Sequence, residues 1–198
     1  MRIIAGSAKG RKLLSPDGVH ARPTSDRARE ALFSSLESEY GDLRGLRFLD
    51  LYSGSGAVAA EAISRGATSC IAVESDRQSL SIARENIEMA RALSDVEEVV
   101  VIDSDVESFV ARRSNPFDVI FLDPPYAVTD DEINEILKTM IGSGFVVRET
   151  LVVIERASRS KSFPWPTGMH AVKEKKYGNA AIYYGELDVE NNEENSKG

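Results

Sequence analysis

The sequence predicts an α/β fold, a mostly parallel sheet covered by helices on both faces and ending in a C-terminal antiparallel hairpin. Short apolar, β-branched runs recur from Leu46 to Ile154, each brief enough to be a buried strand. Between them lie stretches with apolar residues at helical spacing, such as Leu80, Ala83, Ile87 and Ala90. Strict alternation of the two requires crossovers, which make the strands parallel and bury both sheet faces.

Taken in order, Arg2 to Leu14 places two apolar pieces around Gly6-Ser7-Ala8-Lys9-Gly10, the pattern of a small hairpin with a basic turn. Ser15-Pro16-Asp17-Gly18 is a turn. Thr24 or Ser25 suits a helix N-cap, with Asp26 in the first turn where the helix dipole favours it. The helix that follows carries Leu32, Phe33, Leu36 and Tyr40 on one side and Arg22, Arg27 and Arg29 at its start. Residues 1–40 therefore read as an appended basic extension whose charged end points away from its apolar face.

Residues 41–188 carry the repeating pattern. Leu46–Leu51 is the first central strand, followed by Gly54-Ser55-Gly56 and a helix to about Ser64. Ser69–Val73 is a second strand closed by Glu74, and Arg77–Arg91 a helix. Val99–Ile102 and Phe117–Leu122 are the third and fourth strands, Asp130–Ile141 a helix and Leu151–Ile154 the fifth strand. Stretches near Ala171–Tyr177 and Ala180–Leu187 pair as a hairpin across Gly178-Asn179, giving seven strands in all. Residues 189–198 are polar and acidic, the composition of a disordered tail.

A chain of 198 residues with 42% hydrophobic content supports one globular domain with a full core. Met1-Arg2-Ile3-Ile4-Ala5-Gly6 lacks the apolar stretch of a secretory signal, and no run is long enough to span a membrane. Cys70, the sole cysteine, lies in an apolar run and is expected to be a buried free thiol, so a cytoplasmic setting is expected. His20 and His170 are too isolated to build a metal site with it. The net charge of −8 alone argues against a polyanionic partner, but its distribution does not. Arg2, Lys9, Arg11, Lys12, Arg22, Arg27 and Arg29 face only Asp17 and Asp26 in the first 29 residues, and Lys173, Lys175 and Lys176 form a second cluster. A basic arm on an acidic body can still bind phosphates locally, the alternative being a merely solvated basic segment.

Ligands of open α/β sheets sit at the carboxyl ends of the strands. Asp50-Leu51-Tyr52-Ser53-Gly54-Ser55-Gly56 occupies that place on the first strand, where Gly54 and Gly56 let the backbone approach a ligand. Glu74, with Ser75 beside it, is placed to accept hydrogen bonds from ribose hydroxyls, and Asp105, beside Val106, from an adenine amino group. Gly54, Gly56 and Ala59 also satisfy the dinucleotide pattern G-x-G-x-x-A, so the loop alone fits a nicotinamide cofactor as well as S-adenosylmethionine. Two features favour methyl transfer. Asp50 would repel a pyrophosphate but can neutralise a methionine ammonium. Asp123-Pro124-Pro125-Tyr126 then ends the fourth strand in a rigid, acceptor-only rim suited to an exocyclic amine, which hydride transfer does not need.

The order of glycine loop, ribose acid, adenine acid and Asp-Pro-Pro-Tyr rim resembles S-adenosylmethionine-dependent amino-methyltransferases. Ala21-Arg22-Pro23-Thr24-Ser25-Asp26-Arg27-Ala28-Arg29-Glu30-Ala31-Leu32-Phe33, with Arg2-Ile3-Ile4-Ala5-Gly6 and Lys176-Tyr177-Gly178, narrows the resemblance to the bacterial RsmD family, over Met1 to about Leu187. The chain departs from it at Tyr52-Ser53, where the family often has Phe-Ala, and at Ser7-Ala8-Lys9, often richer in arginine and aromatic residues.

The resemblance implies a Rossmann-like methyltransferase fold and methylation of the N2 amine of a guanine in 16S ribosomal RNA of the small subunit. The substrate would be met within a small-subunit or assembly particle; the sequence is silent on oligomeric state, and a monomer is the default expectation. Asp50, Tyr52, Ser53, Gly54, Gly56, Glu74, Ser75, Asp105, Val106 and Asp123 would hold the cofactor. Asp123, Pro124, Pro125 and Tyr126 would carry the catalysis: the carboxylate and the Pro124 carbonyl accept the amine protons while Tyr126 stacks on the extruded base. Arg22 and Thr24 would sit near the cofactor or the entering RNA, with Arg11, Lys12, Arg27 and Arg29 on phosphates. Pro164-Trp165-Pro166 either walls the base pocket or packs as core or lid. Within the same fold, an adenine-N6 or other amino-methyltransferase acting on DNA or a different RNA uses a closely related rim. A nicotinamide-dependent dehydrogenase and a non-catalytic RNA-binding assembly factor are the readings from other classes.

Overall fold

The computed structural model describes residues 1–15, 26–158 and 162–188. After the N-terminal hairpin come α1 (Asp26–Tyr40), β1 (Arg47–Leu51), α2 (Ala57–Ser64), β2 (Ser69–Glu74), α3 (Arg77–Arg91) and β3 (Glu98–Asp103). They are followed by α4 (Val106–Val110), β4 (Val119–Leu122), α5 (Asp130–Gly142), β5 (Leu151–Ala157), β6 (Met169–Tyr177) and β7 (Ala180–Leu187). The strands form one seven-stranded sheet in the order β3-β2-β1-β4-β5-β7-β6. β1 to β5 are parallel, and β7 is antiparallel to both β5 and β6.

Alternation along each strand divides the core in two. Phe48, Phe121, Val153 and Tyr184 face α1, α2 and α3, whereas Leu49, Ile120, Val152 and Tyr183 face α4 and α5. Every residue of α2 is buried, so this helix lacks a polar face and is held by its surroundings. α3 is amphipathic and starts at Asp76, whose side chain accepts from the Ser79 N–H. α5 opens with a capping box between Thr129 and Glu132.

The N-terminal extension shares this core rather than standing apart from it. Ile3, Leu13, Leu32, Phe33 and Leu36 pack in the same cluster as Phe48 and Ala59. The basic turn docks at the far end of α2: Ser7 N–H donates to the carbonyl of Ser64, the last residue of that helix, at 2.7 Å. Lys9 thus lies at the opposite end of α2 from the glycine loop. The fourth strand begins at Val119 rather than Phe117. Phe117 is instead tied to the α5–β5 connection, its N–H donating to the Phe145 carbonyl and its carbonyl accepting from the Thr150 hydroxyl. No described helix is long and apolar enough to cross a membrane.

Candidate active site

The parallel register aligns Leu51 with Val73 and with Leu122, and Glu74 with Asp103. Hence the glycine loop, Glu74, the segment before α4 and the Asp-Pro-Pro-Tyr turn all emerge on one edge of the sheet. β1 is flanked there by β2 on one side and β4 on the other, the switch point at which open α/β sheets bind ligands.

Asp50 is 1% exposed and accepts a hydrogen bond from the Ala59 N–H at 3.0 Å. Gly56, the N-cap of α2, has no side chain with which to satisfy the first turn, so Asp50 performs the cap from the neighbouring strand. Burial pushes the Asp50 carboxyl well above its usual range; the Ala59 bond opposes this, and the charges of Asp123 and Glu74 reinforce it. Three carboxylates thus converge around the loop.

Tyr52 turns the chain with φ 60°, the sole positive φ outside glycine among the described residues. Its phenol is raised above the ordinary range, first by burial and then by the charge of Glu107. Ser53, itself buried, donates its N–H to the Val73 carbonyl at 3.0 Å. Gly54 and Gly56 need glycine for different reasons. Both have positive φ, but a Cβ on Gly56 would sit 3.0–3.1 Å from Ile87 and Ala83 of α3, whereas one on Gly54 would meet nothing within 4 Å. Gly56 seats the loop, and Gly54 leaves its outer side open to a ligand.

Glu74 ties the loop together. Its carboxylate accepts from the N–H groups of Gly54 at 2.7 Å, Ser75 at 2.9 Å and Asp76 at 2.7 Å. A carboxylate offers about four lone-pair sites, so capacity remains for another donor. Asp105 caps α4 by accepting from the Ser108 N–H at 2.7 Å, and that N–H, followed by the Ser108 hydroxyl, holds its carboxyl below the usual range. Tyr52, Glu74, Ser75, Asp105 and Val106 together line a cavity of about 100 Å³. Five of the cofactor candidates thus come together in one pocket, whereas Asp50, Ser53, Gly54, Gly56 and Asp123 are not among its lining residues.

On the other side of β1, β4 ends at Leu122 and the Asp123 N–H lies 3.5 Å from the Leu51 carbonyl. The Val128 N–H donates to the Pro125 carbonyl at 2.9 Å, closing a turn that presents Tyr126 with 65% of its surface exposed. Arg156, absent from the sequence-based candidates, braces this turn from the end of β5. It is 5% exposed and donates Nη2 to the Val128 carbonyl at 2.7 Å, with Asp130 Oδ1 at 3.2 Å. Its signal was a charge sharing the inward parity of Val152 and Ile154.

The basic candidates divide. Arg11, Lys12 and Arg27 are exposed and available to phosphates. Arg29 is not, and its assignment to RNA is corrected here. It is fully buried, donates to the Arg2 carbonyl at 2.6 Å and to Asp26 at 2.9 Å, and lies 3.4 Å from Glu61. The reason is helical geometry: Arg29 precedes Leu32, Phe33 and Leu36 at the spacing of the inward face. Arg22 and Thr24 lie outside the described residues. Trp165 packs edge-on to Phe163 at 5.1 Å and covers Gly185 of β7, so it belongs to the core on the α5 face.

Comparison with known proteins places these features in a family setting. The family model described as conserved hypothetical protein 95 matches residues 1–186. Ribosomal RNA small subunit methyltransferase D of Escherichia coli is 32% identical over 181 residues, covering 91% of this chain and 87% of that protein. The protein of the same name from Haemophilus influenzae is 30% identical over 180 residues, covering 90% and 89%. Among solved structures, yhhF of Escherichia coli superposes with TM-score 0.78 at 30% identity, covering 95% of this chain and 98% of its own.

Proposed function

The chain belongs to the RsmD family, and from that premise we propose that it methylates the N2 amine of a guanine in 16S ribosomal RNA of the small subunit. S-adenosylmethionine is the cofactor of this methyltransferase, and when bound it supplies an electrophilic methyl group carried on a sulfonium. The residues present fit that group. Gly54 is open on its outer side, the adjoining cavity is rimmed by acceptors, and three carboxylates face a ligand that carries positive charge. Glu74 would take the ribose hydroxyls with its remaining acceptor capacity, while Asp105 and Val106 would flank the adenine and Ser75 would border the pocket. Asp50 would face the methionine ammonium, with Tyr52, Ser53, Gly54 and Gly56 forming the backbone cradle.

A guanine N2 amine is a weak nucleophile because its lone pair is delocalised into the ring. The Asp123 carboxylate and the Pro124 carbonyl would accept its two N–H groups, favouring a pyramidal nitrogen with its lone pair directed at the incoming methyl. Proline contributes no N–H at either position, so the rim offers the amine acceptors only. Tyr126, exposed and held in its turn, would stack on the extruded base for about 1–3 kcal/mol. The N–C bond would form as the S–C bond of the sulfonium broke, leaving S-adenosylhomocysteine, and the surplus proton would leave nitrogen for Asp123 or water. Arg11, Lys12, Arg22, Thr24 and Arg27 would position the RNA through its backbone. The enzyme would work as a cytoplasmic monomer on the RNA within a small-subunit or assembly particle.

The observation that carries this reading is the joint placement of the glycine loop at the β1 end and the Asp-Pro-Pro-Tyr turn at the end of the adjacent β4. Its test is Asp123→Ala with fold verified by circular dichroism. Methyl transfer to small-subunit RNA is expected to fall by about 10²–10³-fold, the usual effect of losing a preorganised electrostatic contact. Transfer within about threefold of the unaltered protein, well short of that loss, would contradict the role of the rim.

A further inference from the structure

We propose that Asn86 is a positioning residue that couples the end of the N-terminal hairpin at Leu14 to the glycine loop, so that cofactor binding and fixing of the Leu14 backbone support each other. The inference rests on the cofactor reading above and extends it to a residue outside the pocket.

Asn86 lies on the inner face of α3 and is 2% exposed. Its Oδ1 accepts from the Leu14 N–H at 2.8 Å, while Nδ2 donates to the Leu14 carbonyl at 3.1 Å and to the Ser55 carbonyl at 2.8 Å. One N–H and two carbonyls admit a single orientation of the amide, with the oxygen towards the N–H. A single side chain therefore joins segments 72 and 31 residues away in sequence. The contact is not a by-product of apolar packing, because Leu14 is 44% exposed. Its backbone is held by the amide.

The two ends of this bridge matter for function. Ser55 lies between Gly54 and Gly56, and Gly56 rests on Ala83 and Ile87, the α3 residues on either side of Asn86 on the same face. Leu14 immediately precedes the stretch that carries Arg22 and Thr24. The chain re-enters the described structure at Asp26, which Arg29 holds together with the Arg2 carbonyl. A buried guanidinium thus holds Asp26, and an amide that also reaches the glycine loop holds Leu14. A ligand that orders the loop lowers the cost of ordering Leu14, and linkage makes the effect reciprocal.

The test is hydrogen–deuterium exchange at the Leu14 amide, with and without saturating S-adenosylhomocysteine, whose binding is followed by calorimetry. In the unaltered protein the compound is expected to slow exchange at Leu14 by at least about fivefold, the lower end of typical coupling. In Asn86→Ala, saturated to the same degree, that slowing is expected to vanish. If this variant does not fold, Asn86→Asp serves instead: it keeps an acceptor for the Leu14 N–H but loses both donors. Unchanged exchange in the unaltered protein would overturn the proposal. So would equal slowing in the variant, even with a lower melting temperature, because Asn86 would then only pack. Failure of the unaltered protein to bind S-adenosylhomocysteine at all would remove the cofactor reading itself, and this inference with it.

Discussion

Removing Glu61 tests how the N-terminal extension is held over α2. Glu61 has no exposed surface, and its carboxylate is met by four donors. Oε2 accepts from the Ile4 N–H at 2.8 Å and lies 3.4 Å from Arg29 Nε, while Oε1 accepts from the Ala5 N–H at 3.0 Å and Arg65 Nε at 2.8 Å. In Glu61→Ala the buried Arg29 would be left with Asp26, a carboxylate 60% exposed. Breaking a buried pair in this way costs about 3–5 kcal/mol. At roughly 2–4 °C per kcal/mol for a domain of this size, the melting temperature should fall by about 6–20 °C. Glu61→Gln should rescue little, since its NH₂ must face another donor. The double variant Arg29→Met with Glu61→Leu should recover part of the loss, because it removes both charges together. Urea unfolding of all three variants measures these effects. A loss below about 1 kcal/mol in Glu61→Ala, the range of an exposed pair, would refute the reasoning.

Two further predictions concern the site and its support. Asp50 holds its proton more tightly folded than unfolded, so in the free protein it costs nothing below the unfolded pKa of about 3.9, destabilises increasingly as pH rises from there towards the folded value, and costs a constant amount above it. Asp50→Asn should therefore melt higher than the unaltered protein at neutral pH, with the difference disappearing near about pH 4, while S-adenosylhomocysteine affinity falls; a difference independent of pH would contradict this. Gly185→Val should destabilise strongly by thermal melting, because even a Cβ there would sit 2.5 Å from the Trp165 ring; an unchanged melting temperature would show that Trp165 moves freely aside.

The fold was legible where side-chain periodicity is unambiguous. The regular inward spacing of Leu80, Ala83, Ile87 and Ala90 set α3 at its observed limits, and the buried runs around Phe48, Ile120 and Val152 located the central strands. α4 was missed because its 5 residues are too short for any period to register. Its start was nevertheless visible in Asp105, whose Asp-x-x-Ser spacing places an N-cap acceptor three residues before a free N–H. Candidate site residues could be read as strand-end positions, and the structure gathers them along one edge of the sheet, where open α/β sheets bind ligands. Residues acting across the sequence could not. Arg29 looks like Arg27 until helical phase separates them, and the partner that explains it, Glu61, lies in another helix as the sole charge in a wholly buried segment. Asn86 and Arg156 act on backbone groups of distant segments, a relation that no local pattern encodes.

The most direct measurement is the identity of the methylated nucleoside. Unmodified small-subunit RNA and small subunits are incubated with the protein and S-adenosylmethionine bearing a tritiated methyl group, then digested to nucleosides and separated. The account predicts label in N2-methylguanosine, lost in Asp123→Ala. Label in N6-methyladenosine, or no transfer to either acceptor by protein that binds S-adenosylhomocysteine, would contradict it.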